Sequence, residues 1–279
     1  MKIITNDMVK TYEQYLINDE KAKATIEKYV RDVLCFYSSN KNCQITKSMV
    51  LEYKNKLLEH YAPSSVNSVL SSLNSFFDFL GWTELKVKTV KIQKQLFAND
   101  DKSLTKAEYE RLLGAAKNKN NWRLNLIMQS ICSTGIRISE LKYITVEALS
   151  DGKAQLSNKG KTRVIFLPSK LCKVLKQYVK EQKIKSGAVF VTKNGKPLDR
   201  SNIWSDMKKL CESAKVLPSK VFPHNLRHLF ARTYYSIQKD IVRLADILGH
   251  SSVNTTRIYT QENGEIHRQQ IQKLGLLRC

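Results

Sequence analysis

Apolar residues recur every three or four positions through the first 81 residues, with polar residues between them. This period is typical of helices that bury one face. It predicts four helices, and the fourth carries enough apolar side chains to form the core of a small bundle. We expect Asn6 or Asp7 to cap the first, which ends at Asn18. The second covers residues 22–38, the third follows Thr46, and the fourth begins at Pro63 and ends before Gly81.

The pattern changes after the fourth helix. In residues 86–103 lysine alternates with small apolar residues, and the stretch ends in a polar cluster. This indicates an extended linker; an edge strand is the alternative. Thr105 and Glu108 then form a T-x-x-E capping box, which begins a new helix and with it a second domain. We therefore expect a helical domain over residues 1–85, a linker over 86–103 and a second domain over 104–279.

The second domain mixes helical and strand patterns. Two short runs, 153–156 and 162–167, flank the turn residues 157–161 and indicate a β-hairpin. The other predicted elements are helices over 121–133 and 171–183, a short strand over 188–191, and further helices from Ser201 onward, with breaks at Pro218, Gly249 and near Gly264. The expected fold is mainly α in two domains: a four-helix N-terminal domain and an α+β domain with a small antiparallel sheet.

The net charge of the chain indicates a binding partner. The 47 lysines and arginines exceed the 25 acidic residues by 22, and residues 101–279 carry 33 of the basic residues against 14 acidic ones. Such an excess is typical of proteins that bind a polyanion, and nucleic acid is the usual one. A solvated basic surface is the alternative. If DNA is bound, the second domain is expected to hold the phosphate backbone most strongly.

Other classes of protein are disfavoured. No segment approaches the roughly 18 apolar residues of a membrane span, and the first residues lack the apolar core of a secretion signal. The six cysteines are widely spaced without a C-x-x-C pair, which disfavours zinc ribbons and redox motifs. Incidental thiols in a reducing compartment are expected, and with them a cytoplasmic location.

Four separated fragments contain candidate chemistry. They are T-G-I-R-I-S-E-L with Arg137 and Glu140, N-K-G-K-T-R with Lys159, H-N-L-R-H with His224 and Arg227, and L-G-H with His250, followed nine residues later by Tyr259. Each is weak alone. Arg137 and Glu140 could form a surface ion pair, the lysine could be a solvated charge, and Tyr259 could be a core aromatic. His224 and His228 are spaced like two zinc ligands, but the glutamate of H-E-x-x-H is missing and no cysteine is near.

Taken together, these residue types suit phosphodiester transfer without a metal. Arginine binds phosphate oxygens bidentately and stays charged, and fixed donors offset the charge that grows on the phosphoryl oxygens. A tyrosine hydroxyl is a feasible nucleophile when neighbouring groups stabilise the phenolate. A lysine at a hairpin tip could protonate the leaving deoxyribose oxygen. No acidic cluster for Mg²⁺ accompanies these residues, which disfavours a two-metal nuclease.

The order Arg, Lys, His-x-x-Arg, His, Tyr resembles the catalytic domain of tyrosine recombinases, the phage-integrase and Xer-like group. The likeness spans residues 104–262, and the leading helices more loosely resemble the family's core-binding domain. It implies that Tyr259 attacks the scissile phosphate and becomes joined to the 3′ end. Arg137, Arg227 and His250 would hold the phosphate, His224 would act on the tyrosine proton or bind phosphate, and Glu140 would position Arg137. Lys159 would be the general acid, with Lys161 and Lys153 as alternatives.

The resemblance also implies partners. The two domains would form a C-shaped clamp on duplex DNA, and four protomers would join two sites through a Holliday junction with no cofactor, no metal and no ATP. The tail after Tyr259 would dock on a neighbouring protomer or on its own domain. No additional N-terminal arm-binding domain is expected. The rival functions are a non-catalytic DNA-binding regulator and a type IB topoisomerase-like enzyme. The target site, and the choice between dimer or cointegrate resolution and mobile-element integration, stay open.

Overall fold

The computed structural model describes residues 2–41, 43–92, 102–158, 161–192, 194–260 and 272–274. The chain divides into two compact units, Met1–Lys94 and Gln95–Cys279. Lys159, residues 93–101 of the predicted linker and most of the predicted C-terminal tail lie outside the described residues. Within the described residues, no helix is long and apolar enough to cross a membrane.

The first unit contains the four predicted helices. They are α1 (Asn6–Asn18), α2 (Lys23–Ser39), α3 (Lys47–His60) and α4 (Pro63–Phe79), followed by a 3-10 turn over Thr83–Leu85. The side chain of Thr5, not Asn6 or Asp7, caps α1 by accepting a hydrogen bond from the backbone N–H of Met8. A threonine hydroxyl at this position satisfies one of the backbone donors that a helix start leaves free.

Helix α4 supplies much of the core of this unit. Phe76 and Phe77 are fully buried on it, and their rings contact Tyr12 of α1 and Phe36 of α2. One hydrogen-bonded group of polar side chains lies in the same interior. Asp32, which is buried, accepts hydrogen bonds from the Lys28 ammonium and the Ser72 hydroxyl. This arrangement follows the rule that buried charges are paired and hydrogen-bonded.

The described part of the predicted linker, residues 86–92, lies on the first unit as extended chain with no strand partner. Two asparagines on α4 bind its backbone from one side. Asn74 accepts from the N–H of Val87 and donates to its carbonyl, at 3.0 and 2.9 Å. Asn67 makes the same pair of bonds with Val90, at 2.7 and 2.9 Å. The asparagine side chains thus hold residues 87–90 through the backbone N–H and carbonyl groups of Val87 and Val90. The lysine-rich sequence of the linker gave no sign of these contacts.

The second unit contains nine helices and one hairpin among its described residues. They are α5 (Lys106–Asn118), α6 (Trp122–Thr134), α7 (Val146–Asp151), β1 (Lys153–Asn158), β2 (Lys161–Phe166), α8 (Ser169–Glu181), α9 (Arg200–Lys208), α10 (Cys211–Ala214), α11 (Pro223–Gln238), α12 (Ile241–Leu248) and α13 (Val253–Thr256). Short 3-10 turns cover Ile138–Tyr143, Pro218–Lys220 and Arg257–Thr260. The predicted fold class is confirmed: mainly helical, with one small antiparallel sheet.

Two local predictions in this unit have opposite outcomes. The capping box is present, since Thr105 accepts from the N–H of Glu108 while the Glu108 carboxylate accepts from the N–H of Thr105. The predicted strand over residues 188–191 is wrong. That segment has only isolated bridges, one at Ala188 and one at Val191. Its apolar residues Val189 and Phe190 are buried in the core, so their burial explains the pattern without a sheet.

Helix α6 lies at the centre of the second unit. It is buried on more than one face and packs against α5, α8 and α11. A separate small cluster forms around the 3-10 turn Arg257–Thr260, where Tyr259 packs with Ala231, Leu244 and Leu248. This cluster joins α11 and α12 to the chain segment that carries Tyr259, and so brings the candidate residues of two of the four sequence fragments together.

Candidate active site

The end of α6 sets the position of Arg137. Gly135 ends that helix in the left-handed region, with φ of 68°. A β-carbon at Gly135 would lie 2.4 Å from the ring of Phe230, so no larger residue fits without movement. The chain then extends through Arg137, whose N–H donates to Glu140 Oε2 at 2.7 Å and whose Nη1 donates to Oε1 at 3.0 Å. The almost fully buried Glu140 carboxylate therefore holds both the backbone and the guanidinium of Arg137.

Arg227 comes from the first turns of α11 and is 1% exposed. Its Nη1 donates to the carbonyl of Gly135 and its Nη2 to the carbonyl of Leu248, both at 2.7 Å. Its Nε is buried and has no hydrogen-bond partner among the described residues. Burial is the main cause that lowers the pKa of Arg227, to about 10, so the group remains charged at neutral pH.

His250 follows the end of α12, where Gly249 adopts a left-handed conformation. Its Nε2 lies 3.0 Å from Nη2 of Arg227, and its Nδ1 lies 2.8 Å from Oγ1 of Thr256. A guanidinium can only donate, so Nε2 of His250 accepts and the proton resides on Nδ1, which donates to Thr256. Burial first, and then the nearby arginines, lower the pKa of His250 to about 4.

The ring of Tyr259 lies between two histidines. It stacks on His250 with 5.8 Å between ring centroids and 22° between planes. His228 meets it edge to face at 4.6 Å and 89°. Tyr259 is 5% exposed and also packs on the apolar cluster of α11 and α12. The ring is therefore held from several sides.

His224 joins the group through His228. The two are one turn apart on α11, and their rings meet at 4.5 Å. Burial is the main cause that lowers the pKa of His228, to about 4. The pKa of His224 is also lowered, first by partial burial and then by the charges of Arg227 and Arg137. Part of the residue is nevertheless exposed to solvent. In the described chain, no three His, Cys, Asp or Glu side chains are grouped to hold a metal ion.

The structure thus brings most of the predicted residues into one contact network. Arg137 binds Glu140, Arg227 binds the Gly135 carbonyl and His250, and Tyr259 stacks on His250. Lys159 lies outside the described residues.

Three further residues in this network were not among the predicted site residues. They are His228, Thr256 and Arg163, whose Nη2 donates to Glu140 Oε2 at 2.7 Å. The sequence gave a signal for His228, which follows His224 at the i, i+4 spacing of one helix face. It also gave a signal for Arg163, which lies in the hairpin fragment N-K-G-K-T-R.

The fold and the grouping of arginines and histidines around Tyr259 define a tyrosine site-specific recombinase. Residues 102–265 match the model of the phage integrase family, and residues 9–84 match that of the phage integrase N-terminal SAM-like domain. The first match covers more than half of the chain. The chain belongs to the phage integrase family.

Individual relatives agree with this assignment. The tyrosine recombinase XerA of Pyrococcus horikoshii is 30% identical over 99% of this chain and 96% of that protein. Among solved structures, the XerH site-specific recombinase bound to its difH substrate before cleavage has a TM-score of 0.71 at 20% identity, covering 96% of this chain and 84% of that one. A lambda integrase tetramer bound to a Holliday junction has a TM-score of 0.73 at 17% identity, covering 91% and 76%. At these identities the two structures support the fold.

Proposed function

We propose that the chain cuts and rejoins two duplex DNA sites through a 3′-phosphotyrosyl intermediate on Tyr259. One observation carries the proposal: the Tyr259 ring stacks on His250, whose ring nitrogen binds the buried guanidinium of Arg227. A candidate nucleophile and a fixed positive charge thus share one neighbour. The excess of basic residues in 101–279 supplies the attraction for the DNA backbone.

The phosphate would be held by Arg137 and Arg227, and by His250 in the form that carries a proton on Nε2. The carbonyls of Gly135 and Leu248 fix the guanidinium of Arg227, and its Nε–H has no acceptor among the described residues. A donor of this kind can be satisfied when a phosphate oxygen arrives. Glu140 would orient Arg137, because its carboxylate binds that residue at two points. Fixed donors of this kind offset charge on the transferring phosphoryl group.

Tyr259 would attack the phosphorus atom, and the 5′-oxygen of the next nucleotide would leave. The tyrosine proton would pass to His224 or to a phosphate oxygen. The lowered pKa of His224 favours its neutral form, which can accept a proton. In the reverse step the 5′-hydroxyl attacks the phosphotyrosine and Tyr259 leaves. The energy of the phosphodiester is conserved in the intermediate, so the scheme uses no ATP, no metal and no other cofactor.

Lys159 would donate the proton to the leaving 5′-oxygen. This role rests on its place in the hairpin fragment N-K-G-K-T-R, between the strands β1 and β2. Lys161 and Lys153, at the two ends of the same hairpin, are the alternatives. An alkoxide is a poor leaving group, so a general acid has a large effect at this step.

The partners would be two duplex recombination sites and four copies of the chain, with a Holliday junction as intermediate. Support comes from the fold shared with a lambda integrase tetramer that is bound to such a junction. The C-terminal tail would dock on a neighbouring protomer or on its own domain. The proposed location is the cytoplasm, a reducing compartment that suits the free cysteines of the described residues.

Strand exchange tests this function against its rivals. The test uses two labelled duplexes that carry a site selected from a random-sequence pool by binding to the chain, together with a supercoiled plasmid that carries one copy. We expect recombinant duplexes and Holliday junctions from the pair. Relaxation of the plasmid without recombinants would indicate a type IB topoisomerase. Binding without covalent adduct would indicate a regulator.

A further inference from the structure

Arg163 on β2 connects three parts of the candidate site. Its Nη2 donates to Glu140 Oε2 at 2.7 Å, and its Nη1 donates to the carbonyl of Ile247 at 2.6 Å. Ile247 lies in the last turn of α12, three residues before His250. We propose that Arg163 is a positioning residue for strand transfer, which fixes Glu140, and through it Arg137, to the end of α12. The inference rests on the function proposed above.

The contacts of Glu140 show why a second arginine matters. Its Oε2 accepts from the backbone of Arg137 and from Arg163, while Oε1 accepts from Nη1 of Arg137. The Arg163 side chain is 17% exposed and the Arg137 side chain 36%, so Arg163 is the inner partner and Arg137 the outer one. Without Arg163, the carboxylate would lose a donor and its orientation. Arg137 would then lose the fixed geometry that phosphate binding requires.

The backbone at Gly249 adds an independent observation. Its φ is +64°, and a β-carbon there would lie 2.6 Å from Cδ and 2.7 Å from Nη1 of Arg163. The guanidinium end of Arg163 therefore passes directly against the residue before His250. A side chain at position 249 would push Arg163 away from Ile247 and Glu140. The sequence thus contains two sites at which the same connection can be broken.

Charge argues for the same role. Burial is the largest influence on the pKa of Arg163 and lowers it, while the Glu140 carboxylate opposes this shift. Burying the charged guanidinium of Arg163 costs free energy, and two contacts offset this cost. Nη2 donates to the Glu140 carboxylate and Nη1 donates to the Ile247 carbonyl. Lysine carries its charge at one point and cannot make both contacts with the geometry of a guanidinium. Arg163→Lys should therefore keep the charge and lose the connection.

The experiment measures single-turnover formation of the covalent adduct on a nicked duplex, with DNA affinity and thermal midpoint measured in parallel. Arg163→Lys, Arg163→Ala and Gly249→Ala should each reduce the rate on the order of 100-fold, as lost positioning does. Their affinity should stay within about threefold, since most phosphate contacts remain. The matched control is Arg111→Lys, because Arg111 also donates to two backbone carbonyls, those of Ala214 and Lys215, and neither belongs to a residue of the candidate site. It should cleave at the parent rate.

A second substrate separates positioning from general support of the fold. A methylphosphonate at the scissile position removes one negative charge, so it lessens the need for an arginine at the phosphate. If Arg163 acts through Arg137, this substrate should restore Arg163→Lys and Arg137→Ala to a similar extent.

Two results would overturn the inference. One is parent-like cleavage by Arg163→Lys. The other is recovery of Arg137→Ala on the methylphosphonate while the Arg163 variants stay slow. If Arg163→Ala does not fold, the rates of adduct formation by Arg163→Lys and Gly249→Ala are the test of the inference. Absence of any adduct with the parent chain would instead contradict the proposed function.

Discussion

Nη2 of Arg227 donates a hydrogen bond to Nε2 of His250 over 3.0 Å, and Nδ1 of the same imidazole contacts Thr256. Burial, and then the charge of this guanidinium, lower the pKa of His250 and so favour its neutral form beside the ring of Tyr259. His228, which meets that ring edge to face, also has a lowered pKa of about 4. The surroundings of the candidate nucleophile thus contain two neutral imidazoles at pH 7.

The lowered pKa values of these two histidines should make the free energy of unfolding depend on pH. The pKa values of His228 and His250 are about 4 in the folded chain, against 6.5 for an ordinary histidine. The unfolded chain binds more protons between these values, so the stabilisation is complete above pH 6.5 and is lost as the pH falls toward 4. Each group contributes at most about 1.4 kcal/mol per pH unit to the slope, less where it is partly exposed.

Denaturant unfolding at several values between pH 7.5 and pH 4.5 measures that slope. His228→Gln removes one of the two groups, so its free energy of unfolding should fall less steeply with acid than that of the parent. His60 lies on α3 in the other unit, and His60→Gln is the control that should keep the parent slope. An unchanged slope in His228→Gln would contradict the assigned protonation.

The predicted domain boundary after residue 85 remains a prediction, and the asparagine contacts make it testable. Asn74 and Asn67 bind the backbone of Val87 and Val90 with two hydrogen bonds each. A fragment of residues 1–92 should therefore unfold at higher denaturant than a fragment of residues 1–85. Asn67→Ala with Asn74→Ala should lower the stability of the longer fragment by about 2–4 kcal/mol, at about 1 kcal/mol per bond. Equal stability of the two fragments would place the boundary at residue 85.

Cleavage should not depend on a divalent metal. The candidate site offers arginine donors to the phosphate, and the proposed transfer uses these groups for charge. Adduct formation should therefore continue in excess EDTA at the same rate as in Mg²⁺. A loss of cleavage that Mg²⁺ restores, with DNA binding unchanged, would point to a metal-dependent nuclease.

The general acid can be identified through its leaving group. Lys159→Ala should slow cleavage strongly on ordinary DNA, because the 5′-alkoxide needs a proton. On a duplex with sulfur in the 5′-bridging position, the leaving thiolate needs little help, and the rate of Lys159→Ala should recover. Arg137→Ala should not recover on this substrate. If Lys161→Ala shows the recovery and Lys159→Ala does not, Lys161 is the acid.

Local signals in the sequence predicted much of the fold. Periodicity and the Thr105–Glu108 capping box gave helices that the structure contains, because both depend on residues within one or two turns of each other. The segment 188–191 was predicted wrongly because its buried apolar residues pack in the core without pairing.

Contacts between distant elements needed the structure. Nothing near Arg163 in the sequence shows that it binds Glu140 and Ile247, which lie 23 and 84 positions away. The edge-to-face contact of His228 with Tyr259 likewise depends on how α11 packs against the turn Arg257–Thr260.

Whether Tyr259 is the nucleophile can be measured on a nicked suicide duplex. Phenylalanine keeps the ring that packs between His228 and His250, so Tyr259→Phe should fold and bind DNA like the parent. Tyr234→Phe and Tyr235→Phe, whose rings lie beside the same apolar cluster, are the matched controls. We predict that the parent and both controls form a covalent protein–DNA adduct that survives denaturing electrophoresis, and that Tyr259→Phe forms none. An adduct with Tyr259→Phe at the parent level would show that another residue attacks the DNA.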